Sequence, residues 1–249
     1  MREITATVLE NVRIAEEVFS LTFACEEQLS VRAGQFAMLG VNGFPLRRPI
    51  AVCKAERGRI TVCYRLKGEG TRRLSEYKAG DRLSVLLPLG NGFTLGADMK
   101  KIAVVGGGVG VFPLIAAIRE FASDKEIYAY MGFRNKAAVC MEYEMRRGNS
   151  LTVATDDGSV GYHGTSVQAL MEDIDKVRPD AVLACGPTPM LRALKNAVVG
   201  RDIPVFVSLE ERMGCGAGAC LVCTCEKSDG GRARVCKDGP VFEINEVVL

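Results

Sequence analysis

Cys215, Cys220 and Cys223 form a C-x4-C-x2-C run, and Cys236 closes it after twelve intervening residues. This spacing constrains the chain more than any other feature. Three thiolates close together and a fourth at a distance match the ligand pattern of a plant-type [2Fe–2S] cluster. Gly214, Gly216 and Gly218 interleave with the first cysteines, as expected of a loop that must approach an inorganic core closely. Structural zinc also takes four cysteines, but usually as two short C-x2–4-C knuckles. Inert buried thiols are the other reading, since free cysteine is commonly buried. Cys225, two residues past Cys223, would share its face in an extended segment. Spacing alone makes it a substitute ligand, while packing against the cluster loop is its expected role.

With 249 residues there is length for one large or two ordinary domains. Lys+Arg 32 against Asp+Glu 30 gives a net charge of +2, which argues against binding nucleic acid or a membrane surface through bulk charge. The N-terminus MREITATVLE lacks the apolar core of a secretory signal. A reducing, cytoplasmic compartment is therefore expected, with the clustered cysteines as metal ligands rather than disulfides. The apolar stretch 102–118 is broken by glycines and a proline, so no membrane span is expected. One histidine, His163, is too few for Rieske ligation or a His-rich zinc site.

Residues 4–93 are short β-branched and apolar runs separated by Gly- and Asp-containing turns, the pattern of a six-stranded antiparallel barrel or sandwich. TRRLSEY, 71–77, reads as a helical turn between the fifth and sixth strands. Arg47 and Arg48 open a strand, and Gly70-Thr71 lies where a strand hands over to that helix. Such a helix start can accept a phosphate, with an arginine forked onto it. A solvated strand end and a simple cap are the plainer alternative.

KIAVV, 101–105, is a buried strand followed by Gly106-Gly107-Gly108-Val109-Gly110 and an apolar helix over 113–121. Strand, glycine loop and helix form a phosphate cradle. EIYAYMGF, SLTVATDDG, a helix over 166–177 and DAVLACGPTPM continue the β/α alternation of a parallel sheet. The strand ending Gly132-Phe133-Arg134 lacks the acid that holds a ribose in the dehydrogenase Rossmann motif. Arg134 could read a 2′-phosphate, so NAD and NADP both stay open.

Arg48-Pro49-Ile50-Ala51, Cys63-Tyr64-Arg65, Gly70-Thr71 and Pro88-Leu89-Gly90-Asn91-Gly92-Phe93 resemble the flavin barrel of the ferredoxin reductase superfamily. Gly106 to Gly110 and Cys185-Gly186-Pro187-Thr188-Pro189-Met190 resemble its pyridine-nucleotide half. The resemblance implies FAD on Arg48, Pro49, Ile50, Ala51, Cys63, Tyr64, Arg65, Gly70 and Thr71. It implies NAD on Gly106, Gly107, Gly108, Gly110, Cys185, Gly186, Pro187 and Met190. Ile50 stands in place of the usual aromatic and Ala51 in place of the hydroxyl, so only a backbone contact to flavin N5 would remain there. No acid–base catalytic residue is evident, and Glu210-Glu211-Arg212 would shape a flavin or partner surface or be a solvated turn.

The expected architecture is multidomain. It comprises an antiparallel β-barrel flavin domain (1–97), an α/β parallel-sheet nucleotide domain (98–209) and a small C-terminal [2Fe–2S] domain (210–249) held by Cys215, Cys220, Cys223 and Cys236. Within the superfamily this order resembles the electron-transfer subunits of dihydroorotate dehydrogenase B. That resemblance implies a partner, an FMN-containing (β/α)8-barrel catalytic subunit, in a heterotetramer of two of each. Independently of family, nicotinamide carries electrons in pairs, a cluster carries them singly, and flavin does both. A chain with both other sites therefore calls for a flavin between them. The alternatives are another flavin/iron–sulfur reductase (sulfide dehydrogenase, ferredoxin–NADP transhydrogenase or hydrogenase diaphorase) and a non-enzymatic zinc-binding module.

Overall fold

Alternate residues of Arg82–Leu89 are buried: Leu83, Val85, Leu87 and Leu89 face inward while Arg82 is exposed. This period of two marks a strand with one face on a core. In the computed structural model, which describes residues 1–25 and 29–249, that strand closes a barrel. Its strands are β1 (Arg2–Ala15), β2 (Val18–Ala24), β3 (Phe36–Leu39), β4 (Arg48–Glu56), β5 (Arg59–Arg65) and β6 (Arg82–Leu89), in the order β1-β2-β5-β4-β3-β6. All neighbours are antiparallel. Leu21, Phe23, Ile60, Val62 and Tyr64 fill it together with the inward face of β6. The short helix α1 (Glu69–Ser75) begins two residues earlier than the turn pattern indicates. Gly68 supplies an extended N-cap.

The second sheet contains β7 (Lys101–Gly107), β8 (Glu126–Phe133), β9 (Ser150–Thr155), β10 (Tyr162–His163), β11 (Ala181–Cys185) and β12 (Val205–Ser208), all parallel. β7 and β11 are buried along nearly their whole length, because helices cover both faces. Helix α2 (Val111–Phe121), with the short α3 (Glu142–Met145), packs between this sheet and the barrel. Helices α4 (Ser166–Val177) and α5 (Thr188–Ala197) cover the other face. Thr165 caps α4 reciprocally with Gln168, the Gln168 N–H donating to Thr165 Oγ1 at 3.2 Å and the Thr165 N–H to Gln168 Oε1 at 2.8 Å.

Strand order across the sheet is β10-β9-β8-β7-β11-β12. Successive strands are added on one side of β7 and then on the other. The switch between β7 and β11 leaves a crevice beyond their carboxyl ends, the ligand-binding position of open α/β sheets.

The C-terminal segment shares this sheet. The hairpin β13 (Thr224–Glu226) and β14 (Arg232–Arg234) leads to β15 (Val241–Glu243), which pairs antiparallel with β12. Asn91 fastens the same segment to the barrel. Its Nδ2 donates to the carbonyls of Asp238 (3.1 Å) and Val241 (3.0 Å), and its Oδ1 accepts from the Val241 N–H at 3.0 Å. Among the described residues no helix is long and apolar enough to cross a membrane.

Candidate cofactor cleft and thiol loop

A cleft of about 1170 Å³ lies between barrel, parallel sheet and the start of the C-terminal segment. Its barrel wall is the start of β4 with the end of β5 and the β5–α1 turn. Arg48, Pro49, Ile50, Ala51, Cys63, Tyr64, Arg65, Gly70 and Thr71 all border it. The two neighbouring arginines divide their work. Arg47 is tied to Glu3 at 2.5 Å and to Ser84 Oγ at 3.0 Å, which fixes the β3–β4 turn to the barrel. Arg48 lies over the Phe44 ring, 5.0 Å from its centroid, and donates to the Leu46 carbonyl at 2.6 Å. Its guanidinium rests directly on Gly70, where a Cβ would stand only 2.0 Å from Arg48 Nε. Gly70 thus leaves room for a cation at a helix start, a suitable place for a diphosphate.

Two residues on this wall differ in detail from a simple ligand role. The Tyr64 ring stacks on Phe19 with centroids 5.8 Å apart, and its hydroxyl donates to Asn11 Oδ1 at 3.1 Å. That side chain belongs to the barrel core. The Thr71 hydroxyl accepts from the N–H groups of Lys67 (2.9 Å) and Gly68 (3.2 Å) and donates to the Gly68 carbonyl. It therefore caps its own helix. Cys63 is buried against Cys53, whose S–H lowers the Cys63 pKa.

The opposite wall is built at the switch point. Val109 in the glycine loop and Phe112 and Pro113 in the first turn of α2 lie there, with Cys185 and Ser208 at the ends of β11 and β12. Gly110 packs on backbone: an added Cβ would lie 2.3 Å from the Cys185 carbonyl oxygen and 2.6 Å from the Gly186 nitrogen. At Gly107 the neighbours are Met190 Sδ and Pro187, and at Gly186 they are again Met190 atoms. The glycine run and the Cys185–Met190 loop therefore meet, although they lie far apart in sequence. Gly106 faces Met131 and Val111, and Gly108 takes φ +55 at the loop apex. Burial raises the Cys185 thiol well above its ordinary pKa, so it is no nucleophile. We expect Gly110→Ala to weaken NADH binding at least about tenfold and to cost about 1–3 kcal/mol of stability by overpacking. Titration of NADH and a thermal melt check both.

Glu210, Glu211 and Arg212 line the floor of the cleft. Desolvation raises the Glu210 carboxyl while Lys67 draws it back down. Phe44, Lys67 and Ser208 are cleft residues that the motifs did not single out. Only folding brings their separate segments together. Arg134 is exposed, and its carbonyl accepts from the Asp157 N–H.

Beyond Met213 the chain turns into the thiol loop. Each of its four sulfurs accepts a backbone N–H. Cys215 Sγ accepts from Ala217 and Ala219 at 3.3 Å and from Cys220 at 3.4 Å. Cys220 Sγ accepts from Cys215 at 3.3 Å, Cys236 Sγ from Gly218 at 3.1 Å, and Cys223 Sγ from Cys236 at 3.4 Å. Gly218 makes its bond at φ +82, a conformation that disfavours any side chain. Arg234 braces the loop, gripping Asp238 through Nε and Nη2 at 3.0 Å while donating to the Gly218 carbonyl. Amides aimed at sulfur favour thiolate, and this donor set fits an anionic iron–sulfur core.

The sulfurs fall into two contacting pairs, Cys215 with Cys220 and Cys223 with Cys236. Among the described residues no three metal-ligating side chains close round one ion. Cys223 and Cys236 are buried, while Cys220 is exposed between Ala219 and the solvent-facing Leu221 and Val222. Cys225 sits in β13 opposite Ala233 and packs on the apolar cluster that contains Cys223.

The amides of Ala217 and its neighbours pull the Cys215 pKa down to about 6, whereas burial, with Cys223, pushes Cys236 up to about 12. In cluster-free protein at pH 7, iodoacetamide should therefore modify Cys215 before Cys236, Cys140 or Cys25. Peptide mass mapping over a time course checks the order, and early labelling of Cys236 would contradict it.

Residues 210–248 match the family model described as the iron-sulfur cluster binding domain of dihydroorotate dehydrogenase B. Over 248 residues the chain is 39% identical to the electron transfer subunit of dihydroorotate dehydrogenase B (NAD(+)) from Caldanaerobacter subterraneus, covering 98% of each sequence. The corresponding subunit of Bacillus caldolyticus is 41% identical over 257 residues, covering 98% of this chain and 97% of the relative. The chain belongs to this family of electron-transfer subunits. Its fold also matches a solved NADH-dependent reduced ferredoxin-NADP oxidoreductase, with TM-score 0.88 and 29% identity over 98% of this chain and 90% of the other. An Amycolatopsis cytochrome P450 reductase aligns at TM-score 0.71 and 25% identity, covering 81% of this chain and 67% of that one. Membership of this family makes the chain an oxidoreductase component, and the iron–sulfur domain gives it an electron-carrying role. The flavin-barrel, glycine-loop and cysteine motifs together resemble this same family.

Proposed function

We propose that this chain joins the FMN of a (β/α)8-barrel catalytic subunit to NAD+, in a cytoplasmic heterotetramer of two of each chain. Its three segments divide the work, with FAD on 1–97, NAD on 98–209 and the cluster on 210–249. Bound flavin supplies the exchange between single electrons and hydride, and the [2Fe–2S] cluster supplies the single-electron relay. The chain's own residues position and insulate that chemistry. Arg48, pre-oriented on Phe44 and Gly70, neutralises the diphosphate. Pro49, Ile50 and Ala51 give an apolar edge with a backbone donor for the ring. Gly106 to Gly110 bring the start of α2 to the nucleotide phosphates. Cys185, Gly186, Pro187 and Met190 wall the nicotinamide side at the switch point.

Cys215, Cys220, Cys223 and Cys236 would hold the irons, with inward amides stabilising the reduced charge. The observation that carries this reading is that one cleft is bordered by the barrel motif, the nucleotide motif and the residues entering the thiol loop. The exposed edge at Cys220 supports a partner contact there. Electrons would leave or enter at that point and nowhere near the barrel's far side.

The test is reconstitution. The purified chain should carry oxidised-flavin absorbance over a broad iron–sulfur background, both bleached by NADH. Mixed with the FMN-bearing catalytic subunit, it should reduce NAD+ with dihydroorotate. Recovery instead with a hydrogenase or large flavoprotein would move the chain to another flavin/iron–sulfur reductase. Zinc without acid-labile sulfide would end the cluster reading. The paired sulfurs favour two irons over a single zinc.

A further inference from the structure

The barrel and the parallel sheet are bolted together at the end opposite the cleft. β4 and α2 pack along each other. The first residues of each element form facing cleft walls, Arg48–Ala51 on one side and Phe112 and Pro113 on the other. At their distal ends Arg119 of α2 pairs with Glu56 of β4 and with Glu144 of α3. Lys54 of β4 reaches the other Glu144 oxygen at 3.2 Å, and Arg147 approaches at 3.6 Å. A further bond crosses nearby, from the Ala33 N–H to Glu120 Oε2 at 2.6 Å. Arg119 and Glu144 side chains are only 14% and 12% exposed, so this network is poorly screened by salt.

Glu144 is its centre, since every other ion pair of the network but Arg119–Glu56 ends on its carboxylate. Met141, which opens α3, takes φ +59, a conformation that costs a non-glycine residue about 1–3 kcal/mol and persists only where its surroundings impose it. The pair of elements resembles tweezers whose pivot is Glu144 and whose tips hold the flavin and nicotinamide sides.

We propose that Glu144 is a positioning residue: by joining Lys54 of the barrel to Arg119 of the nucleotide half, it sets the separation of the two cleft walls across which hydride passes. This rests on the flavin and nicotinamide reading above. Without the carboxylate, Lys54, Arg119 and Arg147 face one another as like charges at the pivot, and the tips shift. Each cofactor still finds its own wall, but the rings meet at the wrong spacing. A displacement near 1 Å can cost about a hundredfold in rate.

The experiment compares the FAD-loaded chain with Glu144→Gln. The variant should lose at least about tenfold in kcat for NADH-driven dye reduction, with KM and FAD affinity within about threefold. The long-wavelength charge-transfer absorbance between reduced flavin and bound NAD+ should weaken in parallel, a readout that needs no turnover. Leu170→Ala, a fully buried site on α4 away from the cleft, controls for lowered stability. It should reduce the melting temperature at least as much yet keep kcat and the band. Unchanged kcat and band in Glu144→Gln would overturn the inference, and so would equal losses in Leu170→Ala. If the unaltered chain itself shows no NADH-driven bleaching, it is the cofactor reading that falls.

Discussion

Replacing Cys220 with alanine is expected to abolish dihydroorotate-dependent NAD+ reduction in the reconstituted complex, while NADH-driven dye reduction through FAD stays within about twofold, as for distant independent sites. Cys220 is the exposed sulfur of the four, and its loop leaves the cleft floor only after Met213. Loss of this sulfur should therefore remove the single-electron relay without touching Arg48, Gly70 or the glycine loop. A stopped-flow assay with dye and a coupled assay with the catalytic subunit separate the two activities. Parallel loss of both, with FAD still bound, would show that the cluster does not lie beyond the flavin in series. The neighbouring solvent-facing Leu221 and Val222 sit where a partner would cover the loop, so this surface should be protected from solvent exchange in the complex.

Arg48→Ala should weaken FAD binding by about ten- to a hundredfold, corresponding to one charge-assisted hydrogen bond at about 1.5–3 kcal/mol. Arg47→Ala should instead lower the melting temperature with a smaller effect on FAD, because Arg47 borders the cleft but is already held by Glu3 and Ser84. Fluorescence titration of the flavin-depleted protein measures both. Equal effects on FAD affinity would mean that the guanidinium on Gly70 is not the diphosphate contact. Lysine at position 48 should restore little, since a point charge lacks the planar fork that stacks on Phe44.

Local pattern carried much of this protein. The alternation in β6, the apolar runs of β7 and β11, and the six-strand count of the barrel follow from side-chain period and turn residues, which act over a few positions. α1 starts two residues before the TRRLSEY pattern because Gly68, lacking a side chain to signal a cap, is the N-cap. β12 and β15 escaped notice for a different reason. Each is short, and β15 becomes a strand only by pairing with Phe206–Ser208. PLGNGF carried a flavin-barrel resemblance, yet Asn91 also pins the C-terminal segment through three hydrogen bonds with Asp238 and Val241. Thr71, named with the flavin residues, has its hydroxyl committed to capping. Glu144 had no motif at all, since its meaning lies in Lys54 and Arg119 from distant segments.

Spacing alone determined that four thiolates could serve an iron–sulfur core and that glycine loops and β/α alternation would serve a nucleotide. Ligand geometry in a short loop depends mainly on the residues between the donors. Tertiary structure alone decided which arginine rests on Gly70, which sulfurs pair, and which charges join β4 to α2 and α3. Those outcomes depend on side chains far apart in the chain, and nothing in a linear order of residues fixes a distance until the backbone has closed upon itself.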